Sequence, residues 1–161
     1  MKHAFLASTL TAGLALSLCT SAPAATASPL LGKWSVDTSR MAMPPAARPK
    51  SVFLTFGDAG NNRLEMDVDI VYADGKQVHT KGVNPLDGTA VPVVGSPEAD
   101  SAAMEHPQPN VLVVGLSMGG VPASTRVYSA AADGKTMSEV VSFYDDKGKP
   151  GMRVHYFTRV H

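Results

Sequence analysis

The chain has 161 residues, with 14 basic and 14 acidic side chains and one cysteine. This near-neutral balance, without a basic cluster, argues against nucleic acid or an anionic membrane surface as the main partner. The length suits one domain, and a single cysteine excludes a framework of intrachain disulfides.

The first 27 residues have the three-part layout of a secretory signal peptide. One lysine precedes an apolar stretch from about Ala4 to Leu18, and the sequence Ala25-Thr26-Ala27 forms an A-x-A cleavage site before Ser28. The apolar stretch is shorter than the ~20 residues of a membrane span. We therefore expect residues 28–161 to form an exported domain, periplasmic or secreted, without a transmembrane segment.

Cys19 offers an alternative, which is lipid attachment at a lipobox. Leu18 stands where a small residue would precede the modified cysteine, and this disfavours the lipoprotein interpretation.

Alternating apolar and polar residues predict β-strands from the fifties onward. The clearest example is "RLEMDVDIVY", where five apolar residues share one parity and charged residues occupy the other. Further strands are predicted in "SVFLTF", "VLVVGLSM", "ASTRVYSA" and "TMSEVVSFY". The last strand, "MRVHYFTRV", is less clear, because Phe157 interrupts the apolar parity of Met152, Val154, Tyr156 and Val160.

Short turns rich in Gly, Asn and Asp separate these strands, as in antiparallel hairpins. Two longer interruptions, "RMAMPPAARPK" (residues 40–50) and "VPVVGSPEADSAAMEHPQP" (residues 91–109), are expected to be ordered loops near one end of the fold. No window shows convincing helical periodicity. The pattern predicts an all-β, antiparallel up-and-down meander of about 8–10 strands, closed into a barrel that hides its edges.

The segment "LLGKWSVD" carries a family resemblance. Gly32-Lys33-Trp34 matches the Gly-x-Trp signature that opens the first strand of lipocalin-like proteins, the calycins, and Arg159 stands where those families often place an arginine that packs on the tryptophan. The ordered segments "RPKSVFLTF", "YADGKQVHT", "LDGTAVPVVGSPEAD", "SAADGKTM" and "DKGKPGMRVHYFTR" resemble an exported bacterial lipocalin-like family of unassigned function. The resemblance implies a barrel and supplies no catalytic or ligand residues.

Fatty-acid-binding proteins provide a contrast. The connection "TSRMAMPPAARPK" is too short and too rich in proline for their two-helix lid, so we expect none. Their C-terminal Arg-x-Tyr motif is also absent, because Val160 and His161 follow Arg159. A fatty acid held by that mechanism is not expected.

Ser117 lies in "GLSMG", which has the Gly-x-Ser-x-Gly form of a hydrolase nucleophile elbow. That elbow needs a helix after the serine, whereas Gly119-Gly120 and a further strand follow here. The order of Ser117, Asp133 or Asp146, and His155 copies a hydrolase triad, so a hydrolase stays open as an alternative. A hairpin turn, with Ser117 on the outer face, is the favoured interpretation.

Metal sites receive weaker support. Met41 and Met43, or Met104 with Glu105 and His106, offer soft ligands that could hold Cu(I), although methionine also fills apolar gaps. The histidines have no spacing typical of zinc sites. Glu65, Asp67 and Asp69 share the charged parity of one strand and are expected to face water. We predict no metal and no cofactor.

The barrel lumen is the predicted binding site, for a small and largely apolar molecule. Arg126 and Tyr128 could anchor polar groups of such a ligand, and lumenal acid/base chemistry is the enzymatic alternative. Side chains that simply fill the barrel are the other possibility. The candidate lumen residues are Met66, Val68, Ile70, Tyr72, Leu112, Val114, Leu116, Arg126 and Tyr128. The oligomeric state is not readable from the sequence.

Overall fold

A computed structural model describes residues 27–161 as one antiparallel sheet of ten strands. Residues 1–26, which include Cys19 and nearly all of the expected signal peptide, lie outside the described residues. The strands are β1 (Gly32–Val36), β2 (Ser51–Asp58), β3 (Arg63–Val71), β4 (Gln77–Pro85), β5 (Val91–Pro92), β6 (Ser101–Gln108), β7 (Val111–Met118), β8 (Val121–Ala130), β9 (Thr136–Tyr144) and β10 (Pro150–Val160).

The sheet order is β4-β3-β2-β1-β10-β9-β8-β7-β6-β5, so consecutive strands pair throughout and β1 also pairs with β10. The edge strands are β4 and β5, and the sheet curls so that β4 lies close to β6, the neighbour of β5. The sheet is therefore a nearly closed barrel, and the predicted all-β meander is confirmed. We call the gap between β4 and β5, which no ladder bridges in the described residues, the edge seam.

Trp34 closes one end of the barrel. Its side chain is fully buried, and its Nε1 donates a hydrogen bond to the Leu30 carbonyl at 2.7 Å. The Arg159 guanidinium lies 4.2 Å from the centre of the indole ring and donates to the carbonyls of Pro29, Leu31 and Gly134. The predicted packing of Arg159 on Trp34 is thus present.

Gly32 is required by the same arrangement. Its φ is +116°, and a Cβ at this position would overlap the Arg159 guanidinium. A glycine two residues before the tryptophan therefore lets the arginine pass over the strand.

The opposite end of the barrel is open. The connection from β1 to β2 contains only two single-turn 3₁₀ helices, Thr38–Arg40 and Pro45–Ala47, and the described residues contain no α-helix. A helical lid is therefore absent there, as expected. None of the described helices is long and apolar enough to cross a membrane.

Two strands were not expected from the sequence. The segment 91–109, interpreted as a loop, contains β5 and the eight-residue β6. The alternation of β6 is hard to see in the sequence. Its inward residues are Ala102, Met104 and His106, and alanine and histidine are only weakly apolar.

β10 also differs from its sequence pattern. Phe157 is buried in the core, which shows that the inward face of β10 is the one that carries Arg153, His155 and Phe157. The more apolar parity faces outward, and its four residues are exposed: Met152, Val154, Tyr156 and Val160. Met118 has the same parity on β7 as Leu112, Val114 and Leu116, which predicts that it faces the lumen. It is exposed instead, because it ends that strand beside the Gly119-Gly120 turn.

Candidate ligand-binding cavity

The open half of the barrel holds a cavity of about 480 Å³. Its rim is formed by residues 41–49, between β1 and β2, and by residues 93–99, between β5 and β6. Both segments were expected near one end of the barrel, and both lie there. Eight predicted lumen residues line the cavity: Met66, Val68, Ile70, Tyr72, Val114, Leu116, Arg126 and Tyr128.

Leu112, the ninth predicted lumen residue, does not line this cavity. Its side chain is fully buried in the apolar core, beside Trp34 and Phe157 in the same cluster. The parity of β7 was assigned correctly, but the lumen is filled at the Trp34 end and hollow only at the other. The parity of a residue in its strand does not show whether it faces the filled part or the hollow part of the lumen.

Three neighbouring strands bring charged side chains together on the inner wall. Tyr128 on β8, Glu139 on β9 and His155 on β10 are opposite one another in the strand register. Arg126 lies two residues from Tyr128 on β8, on the same inward face. Because alternate residues of a strand share a face, the register fixes all four side chains toward the cavity.

Glu139 lies at the centre of this polar cluster. Its carboxylate is only 3% exposed, and its Oε1 accepts a hydrogen bond from Arg126 Nη1 at 3.2 Å. Its Oε2 lies 2.6 Å from Nδ1 of His155. Arg126 Nη2 also binds Glu98, an exposed residue on the cavity rim. We call Glu98, Arg126, Tyr128, Glu139 and His155 the lumenal polar cluster.

The electrostatics of the cluster favour an ionised Glu139. Burial alone would raise the pKa of this carboxyl, but the hydrogen bond with His155 and the positive charge of Arg126 outweigh it, so the pKa lies below its ordinary value. Burial raises the pKa of the Tyr128 phenol well above its ordinary value, so this phenol stays protonated. Tyr128 also packs edge-on against Phe56 and Phe157, with ring centres 5.5 and 6.3 Å away.

Two further polar atoms in the cavity wall lack partners. Nε of Arg126 and Oδ1 of Asn84 are buried without a hydrogen bond within the described residues. Asn84 lies on β4, is 4% exposed and lines the cavity on the side of the edge seam. A buried polar group without a partner is costly, typically by ~1–3 kcal/mol. These atoms are therefore natural contacts for a bound molecule.

The structure places Ser117 away from this cluster. Leu116 lines the cavity and Ser117, the next residue in the strand, does not. β8 and β9 separate its strand, β7, from the strand of His155, and three strand spacings amount to ~14 Å. Nδ1 of His155 is held by Glu139 instead. The strand, the Gly-Gly turn and the next strand follow the predicted hairpin, and the described residues form no Ser117–His155 pair.

Two of the three methionines proposed as copper ligands, Met41 and Met104, pack in apolar surroundings, whereas Met43 is exposed. Met104 is 2% exposed in the core, and Met41 packs against the same core. Met43 lies at the cavity rim, and Glu105 faces outward. These contacts are those of gap-filling side chains.

The outer wall carries a group that the sequence spacing did not reveal. Asp67, Asp69 and His79 have ligand atoms within 4.8 Å of one another, because the register of β3 and β4 places Asp69 opposite His79. His79 Nδ1 is 2.8 Å from Asp69, and this hydrogen bond raises the pKa of the imidazole. The acidic side chains face outward as expected, and nearby Glu65 pairs with Lys81.

Sequence reasoning found Arg126 and Tyr128, considered His155 only as a possible triad member, and missed Glu98, Glu139 and Asn84. One signal was available, because Glu139 shares its parity with Met137, Val141 and Phe143. A charged residue on the buried face of a strand requires a partner and therefore marks a candidate site. His155 and Asn84 carried no comparable signal.

No protein-family model fits the chain, and no curated protein is significantly similar to it.

Proposed function

We propose that the protein is an exported, calycin-like barrel that binds a small, largely apolar molecule non-covalently in its lumen. The observation that carries the proposal is the open cavity of about 480 Å³, which apolar side chains surround and which holds one polar cluster and one amide. Small-molecule sites commonly combine an apolar, concave surface with a few convergent polar groups. Their volumes start at ~300 Å³, so the space suits a compact ligand.

Two sequence features support the remaining parts of this proposal. Gly32, Trp34 and Arg159 resemble the calycin signature, and in the structure the three meet at the closed end of the barrel. The layout of residues 1–27 supports export. Lipid attachment at Cys19 stays the less favoured route to the same compartment.

A fluorescent apolar probe tests lumenal binding. N-phenyl-1-naphthylamine is uncharged near neutral pH, and its fluorescence rises in apolar surroundings. We expect saturable binding to the wild-type protein. Val68→Trp, on the cavity wall, should weaken it at least ~10-fold, because the larger side chain occupies the space.

Val140→Trp is the matched control, because Val140 lies on the outer face and is 36% exposed. It makes the same chemical change and should leave probe binding unaltered. Equal binding by the two variants, both folded by circular dichroism, would show that the probe sits elsewhere and would contradict the proposal. Native mass spectrometry of the purified protein would then reveal any small molecule that it carries.

A further inference from the structure

We propose that the ligand carries an uncharged hydroxyl group, as a phenol or an alcohol does, and that this hydroxyl donates a hydrogen bond to Nε2 of His155. The inference rests on the proposed lumenal binding and specifies the chemistry of the ligand.

The Glu139–His155 pair determines which ring nitrogen is available. An ionised carboxylate can only accept hydrogen bonds. Nδ1 of His155 therefore carries a proton and donates a hydrogen bond to Glu139 Oε2 at 2.6 Å. In the neutral imidazole this leaves Nε2 as an acceptor. His155 lines the cavity, and the hydrogen bond of its ring to a described residue uses Nδ1. A ligand donor can therefore bind at Nε2.

The charges of the cluster argue against an anionic ligand. Arg126 supplies one positive charge, whereas Glu98 and Glu139 supply two negative charges, so these three side chains sum to 1 − 2 = −1. Both carboxylates already bind the guanidinium. A ligand carboxylate would meet this negative charge. The two other cations that line the cavity already have partners, because Lys81 pairs with Glu65 and Arg153 stacks on Phe143 at 4.9 Å.

A hydroxyl group also fits the remaining unpartnered atoms. Its oxygen can accept as well as donate, and Nε of Arg126 is a buried donor in the same cluster. Oδ1 of Asn84, on another part of the cavity wall, is a further buried acceptor without a partner. The open polar atoms therefore include two acceptors, Nε2 of His155 and Oδ1 of Asn84, and one donor, Nε of Arg126. A neutral polyfunctional alcohol or phenol can use them without adding charge.

The test compares 4-pentylphenol with its methyl ether, 4-pentylanisole, as competitors of N-phenyl-1-naphthylamine. At about pH 8 the phenol is uncharged, because phenols ordinarily ionise near ~10. The ether has the same apolar body and no donor. Because the ether is the more apolar molecule, a purely apolar lumen would bind it more tightly. We expect the wild-type protein to prefer the phenol by ~5–10-fold.

His155→Phe should abolish this preference, because it removes Nε2 and keeps an aromatic ring. His79→Phe is the matched control, since His79 also bonds a carboxylate but lies on the outer wall and is 58% exposed. It should retain the preference.

The wild-type comparison decides the inference even if a lumen variant does not fold. Tighter binding of the ether, or of 4-pentylbenzoate, by the wild type would overturn the inference and leave lumenal binding intact. Failure of the probe itself to bind would instead count against the proposed function. A preference for the phenol that survives in folded His155→Phe would show that another acceptor is used and would also overturn the assignment.

Discussion

Glu139 shows how one side chain can determine the properties of a cavity. A buried carboxylate is costly unless it is paired and hydrogen-bonded, and here both oxygens have partners. The same contacts fix Arg126 and the ring of His155, so Glu139 orients two groups that line the cavity.

The pH dependence of stability should reflect this carboxylate. Because the pKa of Glu139 is lowered in the folded protein, its contribution is fully present above its ordinary value of 4.5 and is lost as pH falls below that value through the folded pKa. We expect Glu139→Gln to reduce the free energy of unfolding by about 1.5–3 kcal/mol near neutral pH. The difference from wild type should shrink steadily between about pH 5 and pH 3, as measured by urea unfolding.

Glu98→Gln provides the control for this titration. Glu98 binds the same guanidinium but is 53% exposed, so its loss should cost less than ~1 kcal/mol. A Glu139→Gln deficit that stays constant down to about pH 3 would contradict the expected ionisation of Glu139.

The inner-wall residues illustrate what the sequence could reveal at this scale. Arg126 and Tyr128 were found because they alternate on the face of an apolar strand. His155 was found only as a possible triad member, since its partner lies on the preceding strand and Glu139 pairs with it through register. Side-chain parity is a property of one strand, whereas the site depends on the pairing of three.

Among the elements, β10 departs most from the rule that the more apolar face is buried. Its inward face holds Arg153, His155 and Arg159, because each has a specific partner in the barrel: an aromatic ring, a carboxylate and the closing tryptophan. Its outward face places Val154 opposite Val140, so outer apolar residues support each other across strands. The hydrophobic pattern predicted the strand but not its orientation.

Substitutions on the two faces of β10 test this orientation. Val154→Thr keeps the β-branched shape on an exposed position, so we expect a loss of less than ~1 kcal/mol in the free energy of unfolding. Phe157→Ala removes a buried ring that packs against Tyr128 and should cost ~3–5 kcal/mol. Urea unfolding of the two variants gives both values, and the opposite ranking would mean that β10 is turned the other way.

For the whole molecule, the order of strands makes closure of the barrel depend on pairing between the first strand, β1, and the last strand, β10. β1 pairs with β10 beside Trp34 and Arg159, while no ladder joins the edge strands β4 and β5 within residues 27–161. The number of strands and the antiparallel meander could be predicted from alternation and turns. The position of the edge seam could not, because it depends on how far the sheet coils.

The edge seam should be the least protected part of the sheet. β4 pairs only with β3, so about half of its amides lack a strand partner, whereas β1 is paired on both sides. We expect hydrogen exchange, followed by NMR, to be at least ~100-fold faster for those β4 amides than for β1 amides.

The cavity is also lined by residues on either side of the seam, namely Lys81 to Val83 and Pro92 to Val93. Bound N-phenyl-1-naphthylamine should therefore slow exchange in β4 and leave β1 unchanged. Uniform protection of both strands would mean that the barrel is fully closed in solution.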